Sequence, residues 1–207
     1  MPLDRQTGAT IQVATHALVR NLLVAFTFFT LPIPAHCEMP DAKDIAVSID
    51  RDGDTFAVTV ELEVDATPEE AFAVLTDYDH MARFVSNVVE SRIVRRDGDR
   101  ITVEQKSQLV FGPLHLDFTN LREVELLPSQ EIQSRVTEGD MRGSSFTSTI
   151  VANGAKTRVD NHGVFTSNRW IPPIIGNAVL EAETRKQFQE FRIEILRRKG
   201  VTPGPGK

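Results

Sequence analysis

The chain has 207 residues, 41% hydrophobic and 25% charged, the balance of a soluble globular protein with room for one ordinary domain. A net charge of −6 and the lack of any basic block exclude a nucleic-acid footprint. Twelve Phe against one Trp and one Tyr suit an apolar interior or pocket better than a polar recognition surface.

Residues 1–37 differ from the rest. Arg20 precedes an uncharged apolar run from Asn21 to Leu31, then come Pro32, Pro34 and Ala35, and charge returns at Glu38. This is the basic, apolar, small-residue order of a secretory signal. The run is shorter than the roughly 20 residues a membrane-spanning helix needs. The pattern predicts cleavage after Ala35 or after Cys37 and export to the periplasm or the exterior. An uncleaved N-terminal anchor and lipidation of Cys37 are the alternatives. Loss of Asp4, Arg5 and Arg20 with the segment takes the net charge from −6 to −7. Cys37 is the only cysteine, so the exported domain is expected to rest on its core, without disulfides.

Residues 38–54 read as a polar linker with the start of the first strand, around Pro40 and the turn Asp50-Arg51-Asp52-Gly53-Asp54. Glu61 falls at the twelfth place of a calcium-type loop, but its glycine is fourth instead of sixth, which favours a plain turn. Phe56, Val58, Val60, Leu62 and Val64 alternate with small or polar residues, a strand with one buried face. Thr67-Pro68-Glu69-Glu70 is a capping box with proline at the first helical position. The helix breaks at Asp77-Tyr78-Asp79-His80, where Asp79 reads as the cap of a second short helix through Phe84.

Strands follow. Val88–Arg96 and Arg100–Phe111 flank the hairpin signal Asp97-Gly98-Asp99. Leu114–Leu127 comes after Gly112-Pro113, and Glu131–Glu138 after the turn Pro128-Ser129. Ser145–Ala152 and Thr157–Thr166 are separated by Asn153-Gly154. Seven strands on short turns imply an antiparallel sheet. A helical pattern runs from about Pro173 to Arg198. Ile175, Ala178, Val179 and Ala182 form its apolar stripe, continued by Phe188, Phe191 and Ile195. Arg197-Arg198-Lys199 suits its C-terminus, Gly200 its stop, and residues 200–207 a loose tail. Only the long helix can cover the concave face of so twisted a sheet, giving an α+β architecture with space between sheet and helix.

Strand parity predicts that this space is partly polar. Gln105 and Ser107 interrupt one inward face, and Asn120 and Arg122 the next. Ser134, Ser148 and Asn161 do the same on later strands. Inward polar groups need partners or water, and a ligand cavity supplies both. A bulge would instead reset the parity and turn Asn120 or Arg122 outward. An inward Arg122 needs Glu104, Glu138, Asp160 or an anionic or carbonyl-bearing ligand to offset its burial.

Ala66-Thr67-Pro68-Glu69-Glu70-Ala71-Phe72, Leu75-Thr76-Asp77-Tyr78-Asp79 and Met81-Ala82-Arg83-Phe84-Val85 resemble the opening of START-like, helix-grip proteins. Arg169-Trp170-Ile171-Pro172-Pro173-Ile174-Ile175-Gly176, leading into a long helix, resembles the polyketide cyclase/dehydrase or coenzyme Q-binding START-like branch of that SRPBCC superfamily. The resemblance spans about residues 44–199. It implies a helix-grip fold and a hydrophobic or amphipathic small-molecule partner such as a lipid or quinone; transient membrane contact is a further expectation.

No serine elbow, H-E-x-x-H, P-loop or G-x-G-x-x-G is present, and the five histidines are scattered, so no metal or cofactor is expected. Glu104, Asp117 and Asp160 read as solvated strand residues. The leading expectation is an exported ligand-binding or carrier protein. Its alternatives are a cyclase/dehydrase-like enzyme, with Arg122 and Gln105 or Asn161 polarising a carbonyl, and an interaction module with a collapsed cavity. The candidate cavity residues are Tyr78, Phe84, Gln105, Ser107, Phe118, Asn120, Arg122, Ser134, Ser148, Asn161, Trp170, Ile175, Val179 and Ala182.

Overall fold

The computed structural model describes residues 42–127, 130–168, 170–172 and 174–201. The expected signal segment with Cys37, the Pro128-Ser129 turn, Arg169, Pro173 and the tail beyond 201 lie outside these residues. Eight strands form one antiparallel sheet: β1 (Ala46–Asp52), β2 (Thr55–Val64), β3 (Val88–Asp97), β4 (Arg100–Phe111), β5 (Leu114–Leu127), β6 (Glu131–Gly139), β7 (Ser145–Asn153) and β8 (Lys156–Thr166). Their spatial order is β1-β2-β8-β7-β6-β5-β4-β3. Between β2 and β3 lie α1 (Pro68–Leu75) and a 3-10 helix (Tyr78–Arg83), and α2 (Asn177–Val201) closes the chain. This is the expected helix-grip architecture with one strand more.

The eighth strand is β1, in the stretch that reads as linker. Its sequence is charged, but Ile45 and Ile49 are buried. Three polar anchors on α2 hold this segment in place. Asn177 Nδ2 donates to the Ile49 carbonyl (2.9 Å), Arg185 Nε to the Ile45 carbonyl (3.2 Å), and the buried Arg192 pairs with Asp44 (2.8 Å). Tertiary partners therefore make a strand that local pattern does not announce.

β2 follows its alternation: Phe56, Val58, Val60, Leu62 and Val64 are all buried, and each such side chain contributes about 1.5–3 kcal/mol relative to exposure. Phe56 stacks on Phe165 of β8 at 4.6 Å. α1 starts as its capping box dictates, with Glu70 N donating to Thr67 Oγ1 (3.3 Å) and Thr67 N to Glu70 Oε2 (2.9 Å). It ends where Thr76 turns back on the Phe72 carbonyl (2.8 Å).

Two local readings change. Asp79 does not cap the 3-10 helix; its Oδ1 accepts from Ile93 N of β3 (2.7 Å), tying the short helix to the sheet edge. α2 begins at Asn177, after the two prolines, and runs past Gly200 to Val201. The edge strand β3 carries irregularities at Val89 and Val94, which break its flat edge against strand addition.

Candidate functional site

Between the concave sheet face and α2 lies a cavity of about 300 Å³, at the lower end of the roughly 300–1,000 Å³ of small-molecule sites. The space under the helix is open, against a fully packed interior. The sheet supplies Gln105 and Ser107 from β4, Phe118 and Arg122 from β5, and Ser134, Phe146, Ser148 and Asn161 from β6, β7 and β8. Leu75, Tyr78 and Met81 wall one end. α2 presents Leu180, Glu183, Thr184, Gln187, Phe188 and Phe191. These fall on one helical face at three- and four-residue steps and run about 17 Å along the axis.

Eight of the fourteen expected residues line this space: Tyr78, Gln105, Ser107, Phe118, Arg122, Ser134, Ser148 and Asn161. The parity of β5 survives because the extra residue of its bulge, Thr137, belongs to β6: Leu121 faces Glu138, and Arg122 faces Val136.

The other six sit elsewhere. Asn120 is buried, but its Oδ1 accepts from Met141 N (2.8 Å), so it fastens the β6–β7 turn. Phe84 packs edge-on against Phe191 at 6.0 Å and under the Arg198 guanidinium. The joint after α1 thus meets the C-terminal half of α2. Trp170 is 76% exposed. Ile175 is buried without lining the cavity, Val179 is half-buried, and Ala182 is exposed. The apolar stripe misplaces the cavity face because the true face carries Glu183, Thr184 and Gln187, polar residues that an apolar stripe leaves out. Polar residues at helical spacing among Leu180, Phe188 and Phe191 were the available signal.

The electrostatics concentrate at one end. The Arg122 Nε is shut off from solvent and has no hydrogen-bond partner. Among the described residues Arg122 makes no ion pair: Glu104 pairs with Arg92 and Asp160 with Arg158. Burial lowers its pKa, and its electrostatic neighbour is the Tyr78 hydroxyl. Burial likewise pushes the Tyr78 phenol up, with Arg122 pulling it back, so the phenol stays protonated and can donate. Gln105 Nε2 meets only the Met81 sulfur (3.3 Å), and the buried Ser134 Oγ has no partner. Farther along, Asn161 Nδ2 donates to Ser148 Oγ (2.7 Å). Gly163 on β8 is the floor beneath Phe146: a Cβ there would lie 2.2 Å from the ring. The site therefore offers unpaired donors around Arg122, with mostly apolar walls interrupted by Ser148, Asn161, Glu183, Thr184 and Gln187 elsewhere.

A curved antiparallel sheet gripping a C-terminal helix over such a cavity defines the helix-grip class of START-like proteins. The chain belongs to the polyketide cyclase / dehydrase and lipid transport family, whose model matches residues 55–199. It is similar in fold to the Zhui aromatase/cyclase from Streptomyces sp. R1128, at 17% identity and a TM-score of 0.61 over 73% of this chain and 99% of that one. A START superfamily protein from Mycobacterium smegmatis is similar at 12% identity, TM-score 0.59, over 69% and 98% of the two chains. So is a STAR-related lipid transfer protein from Xanthomonas axonopodis, at 13% identity, TM-score 0.53, over 72% and 98%. No curated protein matches the chain in sequence.

Proposed function

We propose that this protein binds and carries an apolar or amphipathic small molecule, of the lipid or quinone kind, in the cavity under α2, and does so after export. The observation that carries the reading is the open, mostly apolar cavity with its unpaired donors gathered at one end. Burial of the ligand's apolar body supplies affinity at about 25 cal/mol per Å², and the donors orient its polar end. The family description and the lipid-transfer neighbour support this. Trp170 and Ile174, 76% and 70% exposed, flank the cavity-lining Ile171 and suit brief contact with a membrane during loading.

Titration with the neutral fluorophore N-phenyl-1-naphthylamine, together with solvent extraction of the purified full chain, tests the binding claim. Saturable uptake or a co-purified amphipath is the expected result. No uptake by this probe and no extract across quinones, fatty acids and phospholipids would overturn it. N-terminal sequencing of the protein secreted by its host should begin at His36 or Glu38; an intact Met1 on the mature protein contradicts the export part.

One observation favours an enzymatic reading of the cyclase/dehydrase kind: Glu183 places a carboxylate in the same cavity as Arg122. Among the described residues, however, Arg122 and Glu183 form no ion pair, and no second acid or base stands beside Glu183 in the cavity lining. A general base must lie within about one hydrogen bond or one water of the proton it takes, and carriage remains the better-supported function.

A further inference from the structure

We propose that the Arg122–Tyr78 end of the cavity is a carboxylate-binding site, and that the carried molecule is a single-chain, singly charged carboxylic acid bound head-inward. The inference rests on the binding function proposed above and specifies its ligand.

Arg122 is half-buried with its Nε shut off from solvent, and a guanidinium that loses part of its hydration without gaining a counter-charge is costly. Proteins retain such a charge where a counter-charge arrives from outside. Arg122 makes no ion pair among the described residues: Glu104 and Asp160, two of the partners expected for it, are both committed to other arginines. The planar fork of a guanidinium matches the two oxygens of a carboxylate. Neighbouring donors complete the head-group site. Tyr78 is a buried residue that lines the cavity, and Ser134 Oγ is a buried hydroxyl without a partner among the described residues. Ser134 lies opposite Val124, so it shares the inward face with Arg122 two residues away on the neighbouring strand.

Charge and size narrow the class. One cation with neutral hydroxyls suits one negative charge. Glu183 on α2 would meet a second negative charge on the ligand within the same cavity. A volume of about 300 Å³ takes one chain or a small ring system rather than a two-chain phospholipid. Phe146, Phe188, Phe191 and Leu180 supply the wall for the apolar body.

The test uses the full chain and competition against N-phenyl-1-naphthylamine by dodecanoate, 1-dodecanol, dodecyl phosphate and dodecyltrimethylammonium at pH 8. Dodecanoate should compete at least tenfold better than dodecanol and dodecyltrimethylammonium. Arg122→Met should reduce that preference, taken as a ratio within the variant, to about twofold or less. Arg122→Met should also leave the ligand-free melting temperature unchanged or raise it, since it removes a buried unpaired charge; Tyr78→Phe, which keeps the ring, should cut the carboxylate preference several-fold if the first variant is poorly behaved. Equal affinity for dodecanoate and dodecanol in the wild type, or an undiminished preference in Arg122→Met, overturns the head-group site while leaving the carrier function standing. Dodecyl phosphate competing better than dodecanoate overturns the carboxylate assignment. Failure of the fluorophore and every amphipath to bind overturns the carrier function itself.

Discussion

Gly139 shows at the scale of one residue how the cavity wall is held. Its φ is +101°, and a Cβ there would lie 2.0 Å from the Thr119 carbonyl oxygen. The bulge that leaves Arg122 facing inward depends on this close approach, because Asn120 pairs with Gly139 directly before it. Gly139→Ala is therefore expected to cost about 2 kcal/mol or more, read from the urea midpoint; a change below about 0.5 kcal/mol would mean that the backbone there relaxes freely. Gly163→Ala differs in kind. Its Cβ meets a side chain, Phe146, a cavity-lining ring that can shift to yield. The expected cost is smaller, about 1–3 kcal/mol, with a loss of fluorophore affinity alongside. Arg122, Gln105 and Ser134 were legible from parity alone, since polar residues at alternate positions of an apolar face need a reason. Asn120 shared that signal and proved to be a turn fastener, because parity reports direction and not partner.

Between elements, ion pairs lock α2 to the joint after α1. Arg198 Nη2 donates to Asp77 Oδ2 (2.7 Å), its Nε to Glu194 Oε1 (2.7 Å), and His80 Nδ1 lies 2.7 Å from Asp77 Oδ1. Burial raises the Asp77 pKa, but the bonds from Arg198 and His80 outweigh it and leave the carboxyl below its usual range. Hydrogen bonds from Arg197 hold Glu194 at about 2, against burial and with further help from Arg198. The folded pKa of Glu194 lies below its ordinary 4.5, so its contribution is full above that pH and is lost as pH falls toward 2. Glu194→Gln should lower stability at pH 7 and flatten the loss between pH 4.5 and 2, measured as urea midpoints across that window. An unchanged slope would show that the pairs contribute nothing.

The same lock bears on ligand exchange. Tyr78 follows Asp77 directly and projects into the cavity, so loosening the lock moves a cavity wall. Asp77→Asn should speed amide exchange at residues 78–83 by about fivefold or more for a stability loss near 1 kcal/mol, and unaltered protection there would rule out the joint as a gate. Sequence placed this kink but not what it packs against. The contact with Phe191 and Arg198 is long-range, and no local pattern encodes it.

For the molecule as a whole, the order of elements was readable because each step is local: the capping box, the Asp-Gly and Asn-Gly turns, and the clean alternation of β2. β1 escaped because its charged residues face outward on an edge strand, and the partners that order it, Asn177, Arg185 and Arg192, arrive at the far end of the chain. The cavity face of α2 escaped because a helix that borders a partly polar space does not carry a plain apolar stripe. Both misses are tertiary in origin: β1 is ordered by anchors from the far end of the chain, and the space between sheet and helix is a property of their packing. The account stands on that space being an occupied site. Native mass spectrometry of the purified full chain equilibrated with dodecanoate tests this most directly, with Thr184→Phe, which fills the cavity from α2, as its partner. One ligand per chain on the wild type and none on the folded variant is the predicted result; no bound ligand on the wild type, or equal occupancy of the filled variant, would contradict it.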